Sequence, residues 1–173
     1  MWYKKPIWLS PDEVLNRYNG QLRSKDFTEV FLGQLVDSYI LKGRIDRHKR
    51  KLLILEESVL VLIKHINYNT YCELIQTEDE PIKYSVPSYC DSFRVSYNVS
   101  YEDPLWVTPT DLLLEYPKLK ELKLFDENFI AQLVHKKILR GKYNYSNKYT
   151  LVLSPSFREL HNYINYLHDL DKL

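Results

Sequence analysis

The densest concentration of charge in the chain is a run of cations between residues 42 and 51. Lys42, Arg44, Arg47, His48, Lys49, Arg50 and Lys51 are interrupted only by Gly43, Ile45 and Asp46. Ammonium and guanidinium groups at this density attract polyanions, above all nucleic acid phosphates, and release counterions on contact. The competing reading is a solvated, charged turn. A weaker set lies 98 residues further on, where Arg140, Lys142 and Lys148 stand among Tyr143, Asn144, Tyr145 and Tyr149. Tyrosine and asparagine reach phosphate or sugar as neutral donors, but Tyr145 and Tyr149 would pack equally well on each other across a hairpin.

Each run is preceded by a segment with helical spacing that offers polar side chains. The first presents Thr28, Glu29, Gln34, Asp37 and Ser38, the second Gln132, His135, Lys136 and Lys137. A glutamine amide matches the donor–acceptor pair on the major-groove edge of adenine, although bridging two elements is its commoner use. The two carboxylates of the first set oppose a phosphate field. Glu29 and its counterpart Glu127 also suit a helix N-terminus.

Catalytic chemistry is not expected. The chain has no phosphate-binding glycine loop, dinucleotide fingerprint, His-Glu-x-x-His or nucleophile elbow. His48, His65, His135, His161 and His168 are scattered, with no pair at metal spacing, and Cys72 and Cys90 have no zinc-spaced partner. The two cysteines read as free thiols in a reducing compartment. No cofactor and no metal are expected. Residues 1–6, Met-Trp-Tyr-Lys-Lys-Pro, lack the apolar core of a signal peptide, and no run of apolar residues is long enough to span a bilayer. These features, with a composition rich in Tyr, Lys, Asn, Leu and Ile, lead to the expectation of a cytoplasmic protein encoded by a bacterium or a phage, with no membrane partner.

The elements that must position the cations repeat. Shifting the chain by 98 residues superimposes Tyr3–Tyr68 on Tyr101–Tyr166 without a gap, and 23 of the 66 positions are identical. The matches include Pro6/Pro104, Trp8/Trp106, Pro11/Pro109, Phe31/Phe129, Gln34/Gln132, Gly43/Gly141 and Ser58/Ser156. An ungapped register that preserves Trp, Pro and Gly marks an internal duplication. Most shared positions are apolar or punctuating; the shared polar ones are Lys25, Glu29, Gln34, Ser58 and Asn67. The net charge of +1 is distributed unevenly over this frame. Residues 3–68 hold twelve Lys and Arg against eight Asp and Glu, residues 69–100 two against five, and residues 101–166 nine against eight. The basic character therefore belongs to the first copy.

Within each copy the punctuation predicts one order of elements. Ser10-Pro11-Asp12-Glu13 reads as a capping box with Pro at the first helical position, and Thr108-Pro109-Thr110-Asp111 as its counterpart. These helices are expected to run to about Tyr18 and Tyr116. After a polar connection over 19–25, the spacing of Phe27, Phe31, Leu35, Val36, Tyr39 and Ile40 predicts a helix from about Asp26 to Leu41, with Gly43 just past its end. Strands over 44–46 and 52–55 flank a turn at 47–50. A closing helix buries Val59, Leu62, Ile63 and Ile66, matched by Phe157, Leu160 and Ile164 after the capping pair Ser154-Pro155. Between the copies, residues 69–100 carry the acidic patch Glu78-Asp79-Glu80, and the alternation around Phe93–Val99 predicts short strands. The expected fold class is α+β: two helix-helix-β hairpin-helix modules over 3–68 and 101–173, joined by a strand-containing segment over 69–100.

The order Trp8-Leu9-Ser10-Pro11-Asp12-Glu13, then Leu41-Lys42-Gly43-Arg44-Ile45, then Lys51-Leu52-Leu53-Ile54-Leu55-Glu56-Glu57-Ser58 resembles the winged helix-turn-helix domains of the MerR and phage-excisionase group. The resemblance covers both copies, about three quarters of the chain. It implies a non-enzymatic, double-stranded DNA-binding protein: an excisionase-like architectural factor, a recombination accessory or a regulator of transcription. It gives the hairpins the role of wings and the second helices that of recognition elements. The residues it marks are Gln34, Ser38, Lys42, Arg44, Arg47, His48, Lys49, Arg50 and Lys51 in the first copy. In the second they are Gln132, Lys136, Lys137, Arg140, Lys142 and Lys148. The alternative is a structural or adaptor protein of a phage or mobile element, using the same repeats for self-association or for a protein partner. The near-neutral total charge and the many tyrosines favour it.

Overall fold

Ser10 sets where the first helix begins. Its extended backbone leaves the helix cylinder, its hydroxyl accepts the Glu13 N–H, and Glu13 reaches back to the Ser10 N–H at 3.3 Å. Pro11 occupies the first turn, where its missing N–H costs nothing. Thr108 starts the matching helix with a one-way cap, its hydroxyl accepting the Asp111 N–H at 3.2 Å. The computed structural model describes residues 5–22, 25–75, 82–85, 98–101, 106–117, 119, 125–144 and 149–171.

Among these residues the protein is α+β, with seven helices, two three-stranded antiparallel sheets and one two-stranded ladder. The chain runs β1 (Trp8–Leu9), α1 (Pro11–Arg17), α2 (Asn19–Leu22), α3 (Glu29–Asp37), β2 (Gly43–Asp46), β3 (Lys51–Leu55) and α4 (Glu56–Ile75). Strands β4 (Ile82–Ser85) and β5 (Asn98–Tyr101) pair with each other. Then follow β6 (Trp106–Val107), α5 (Pro109–Glu115), α6 (Glu127–His135), β7 (Gly141–Asn144), β8 (Tyr149–Leu153) and α7 (Ser154–Asp171). The sheets have the orders β1-β3-β2 and β6-β8-β7. Equivalent registers, such as Trp8↔Leu55 and Trp106↔Leu153, lie 98 residues apart.

The second helix differs from the sequence expectation at both ends. It starts at Glu29, because Thr28 is the cap and accepts the Phe31 N–H at 3.1 Å. It stops at Asp37 rather than Leu41. The Tyr39 N–H bonds the Val36 carbonyl and the Ile40 N–H bonds the Leu35 carbonyl, with Tyr39 itself at φ 63°. This is a Schellman turn with a non-glycine residue in the left-handed position. The counterpart α6 ends the same way on Lys137, at φ 65°. Gly43 and Gly141 are therefore not the helix-ending glycines. They open strands β2 and β7, and neither has positive φ. Their task is close approach. A Cβ at Gly43 would lie 2.6 Å from Val36 Cγ1, and one at Gly141 would lie 2.5 Å from the Leu151 carbonyl oxygen.

The shared serine is a second fixed point. The Ser58 hydroxyl donates to the Leu55 carbonyl at 2.7 Å and accepts the Lys42 N–H at 3.2 Å. Ser156 does the same between Leu153 and Arg140, at 2.8 and 3.2 Å. One hydroxyl thus ties the strand that enters the hairpin to the helix that leaves it. Ser154, expected as a cap, is instead the first residue of α7, directly after β8.

The chain divides into two compact units, one of residues 1–63 and 164–173, the other of residues 64–163. In the first, Val14, Leu15, Leu22, Phe31, Leu32, Leu35, Leu41, Ile54 and Leu62 are buried, and the Tyr39 and His168 rings meet in a T-shaped pair with centroids 4.8 Å apart. Arg17 pairs with Glu56, whose charge and hydrogen bond add to partial burial in raising the Tyr18 hydroxyl above its usual pKa. In the second unit, Leu112, Ile130, Leu133, Val152, Phe157 and Leu160 are buried. Helix α4 runs past the expected end of its module, to Ile75. No Pro or Gly interrupts the sequence before Pro81, and Asn69 on this stretch is fully buried. Of the strand expected around 93–99, residues 98–99 lie in β5 and 93–97 lie outside the described residues.

Because the Leu151 carbonyl belongs to the sheet backbone and cannot swing away, Gly141→Ala is expected to cost about 1–3 kcal/mol by overpacking. Urea unfolding of the variant beside the unaltered chain measures this as a lowered midpoint.

Candidate nucleic-acid interface

The first hairpin delivers its cations to the surface because of how its turn is built. Strands β2 and β3 pair from Gly43↔Ile54 to Asp46↔Lys51, which leaves Arg47–Arg50 as the turn. The Asp46 carboxylate accepts the His48 N–H at 3.0 Å and the Lys49 N–H at 3.4 Å, and Arg50 closes the turn at φ 51°. A short acidic side chain that bonds its own backbone two residues on stabilises such a turn. With the backbone donors turned inward on Asp46, Arg47, His48, Lys49, Arg50 and Lys51 are all exposed.

The flanking cation is held differently. Arg44 lies with its guanidinium carbon 4.1 Å from the centre of the Trp8 ring, and Lys142 places its ammonium 4.4 Å from Trp106. Each contact links the outer strand of a hairpin to the short strand that precedes the first helix. A cation on an indole face is favoured by about 0.5–1 kcal/mol when exposed. Both cations remain solvent-exposed, so each can also meet an anion from the open side. The tryptophans were not among the sequence-derived site residues. The signal was present in the paired recurrence of Trp8 with Arg44 and Trp106 with Lys142.

The helical candidates are distributed less favourably. Gln34 is half-buried. Ser38 is fully buried, and its hydroxyl donates to the Leu35 carbonyl at 3.1 Å, so it presents nothing to a groove. Lys42 is half-buried, with its backbone held by Ser58. On α6, Gln132 is exposed, and Lys137, beyond the helix end, is half-buried in the left-handed turn. Lys136 and Arg140 are withdrawn from the surface, at 8% and 3% exposure. The Schellman turn accounts for this. It reverses the chain immediately after α6, so residues that would project outward on a longer helix are folded inward. Lys148 lies outside the described residues. The structure therefore brings the first hairpin's cations together, while of the second set the described residues Arg140 and Lys142 are buried and exposed respectively.

Two residues beyond the sequence-derived set hold the end of α6. The His65 Nε2–H donates to the Ile138 carbonyl at 2.9 Å, and the Asn69 amide donates to the Lys137 carbonyl at 2.8 Å. Both belong to α4, and both are fully buried. They satisfy carbonyls that the ended helix no longer bonds. Burial lowers the His65 pKa to about 3, against the smaller opposing effect of the Ile138 hydrogen bond.

Among the described residues no three His, Cys, Asp or Glu side chains converge as a metal site, and no helix is long and apolar enough to cross a membrane. Cys72 falls on α4, and Cys90 lies outside the described residues. Comparison with known proteins finds no matching family model, no similar curated protein and no similar solved structure.

His65 makes the fold acid-sensitive in a defined window. The unfolded chain takes up a proton near pH 6.5, whereas the folded chain resists protonation until about pH 3. Stability is thus unaffected above pH 6.5 and falls as the pH drops below it, by up to about 1.4 kcal/mol per pH unit. Urea midpoints between pH 7 and 5 should show this slope, and His65→Gln, which does not titrate, should flatten it.

Proposed function

We propose that this chain is a non-enzymatic double-stranded DNA-binding protein, and that the first hairpin carries the contact. The supporting observation is the braced turn itself, which holds Arg47, His48, Lys49, Arg50 and Lys51 together and exposed, with Arg44 beside them on Trp8. A braced turn has little backbone entropy left to lose on meeting phosphates, so the cost of contact falls on the side chains alone. In this reading the hairpins are wings, and the two sets of elements are tandem winged helix-turn-helix-like modules of the MerR and excisionase kind, related by duplication. The protein acts as an architectural or regulatory factor. The second module contributes less to binding, because Lys136 and Arg140 are buried and Lys142 rests on Trp106.

A second reading, an adaptor that recognises protein, is favoured by the outward face of α3. There Val30 is 74% exposed between the exposed carboxylates Glu29 and Asp37. A helix face of this kind repels phosphate and suits a protein surface.

Fluorescence anisotropy of a pooled duplex library at 50 and 200 mM salt separates the two. About five phosphate contacts predict a several-hundred-fold loss of affinity between those conditions. Neutralising Arg47, Lys49 and Arg50 to Gln should abolish most of the binding and reduce the salt slope by about three contacts. An unaltered chain that fails to bind at 50 mM salt overturns the DNA reading and leaves the adaptor.

Asp46→Asn offers a finer check. Asparagine keeps the oxygen that braces the turn but removes a negative charge from among the cations. Affinity for duplex DNA should rise a few-fold, and a fall would mean that the carboxylate's charge serves the contact.

A further inference from the structure

We propose that the outward face of α3 is a docking surface for the first hairpin of a second copy of this chain. Glu29, Val30, Gly33 and Asp37 recur at helical spacing and share that face, while Phe31, Leu32 and Leu35 on the other side are buried. Glu29, Val30 and Asp37 are exposed, Val30 to 74%.

Gly33 is the least expected of these residues. A glycine inside a helix weakens it relative to alanine, and glycine is favoured where another group must come close to the backbone. Nothing within the chain comes close here: a Cβ at Gly33 would meet nothing within 4 Å beyond its chain neighbours and its own helix backbone, and its φ is not positive. The second copy shows that the helix can do without it. Helix α6 also has nine residues, a side-chain cap at its start and a left-handed turn at its end, and it carries Ala131 at this position. The neighbouring differences point the same way. Val30 stands where α6 has Asn128, and Asp37 where α6 has His135. The first copy alone thus combines an open backbone, an exposed aliphatic side chain and two carboxylates on one helix face.

The occupant follows from charge. Arg47, His48, Lys49, Arg50 and Lys51 are exposed on the first hairpin, and Ile45 near them is 62% exposed. The hairpin is the converse of the α3 face: an aliphatic side chain among cations, against one among carboxylates. Opposite charges steer two such surfaces together and fix their register, and the aliphatic pair leaves water as they meet. Both surfaces are exposed within one chain, so the contact is made between chains. The formal net charge of +1 leaves little overall repulsion to oppose it. Two unlike patches make a heterologous contact, which runs on into a ring or an open chain unless two copies make it reciprocally. Duplex DNA would compete for the same cations, so self-association is measured without it, and its failure leaves the DNA reading standing.

Sedimentation velocity of the full chain, over a concentration series at low and at high salt, tests the proposal. The unaltered chain should gain mass with concentration at low salt and lose most of that gain at high salt. Two variants each remove one surface: Val30→Lys with Asp37→Lys on α3, and Arg47, Lys49 and Arg50 to Gln on the hairpin. All these positions are exposed, so both variants should keep the fold, which their urea midpoints check. Each variant alone should stay a monomer, and a mixture of the two should form a dimer that grows no further, because each supplies the surface that the other lacks. Gly33→Ala should unfold at a higher urea concentration than the unaltered chain, yet associate about tenfold more weakly, because its methyl group intrudes on the contact. That variant decides if either of the others does not fold. A chain that stays monomeric at every concentration overturns the proposal. So does association that these variants retain in full, or that the mixture does not restore.

Discussion

The geometry of both hairpins depends on how closely a helix approaches a strand. Val36 presses on Gly43, and Val134 on Gly141, at separations that leave no room for a side chain on the strand. Once that contact is made, the hairpin's position follows. The Schellman turn after the helix supplies the reversal, and the serine hydroxyl of the following helix fixes the return strand. The cation on the outer strand then comes to rest on the tryptophan of the preceding strand. Each link is local and short, which gives a hairpin projecting from a small core a definite direction.

Charge is handled differently in the two halves. In the first, the acids remain where the backbone needs them: Asp46 within the turn, Glu56 against Arg17, and Glu29 at the start of α3. The surplus cations are left at the surface. In the second, Lys136 and Arg140 are buried, and the carboxylates at the start of the last helix are replaced by Ser154 and Pro155. The formal charge of the chain, close to neutral, conceals this difference between a group of exposed cations and two buried ones.

Much of the local structure was legible in the sequence. The caps at Ser10 and Thr108, the hairpin around residues 47–50 and the α+β class follow from turn chemistry and periodicity. The ends of α3 and α6 were not legible. Periodicity at Tyr39–Ile40 continues past the point where backbone hydrogen bonding changes, and a tyrosine and a lysine hold positions normally given to glycine. The prominent glycines pointed to the wrong task for a related reason: composition shows that a Cβ is missing, but not whether a dihedral or a neighbour requires it. Exposure was the larger gap in the candidate site. Ser38, Lys136 and Arg140 have polar side chains, and only packing shows that they face inward. His65 and Asn69 serve carbonyls 68 to 73 residues away, a relation that no local pattern carries.

The division into units has a consequence for synthesis. Helix α4 starts in one unit and ends in the other, and so does α7, because the unit that contains residues 1–63 also contains 164–173. Residues 1–63 therefore leave the ribosome well before residues 164–173, which belong to the same unit. About a hundred residues separate Ile63 from Ile164, roughly 5–20 s of elongation. For that interval the first unit lacks the segment that brings His168 against Tyr39.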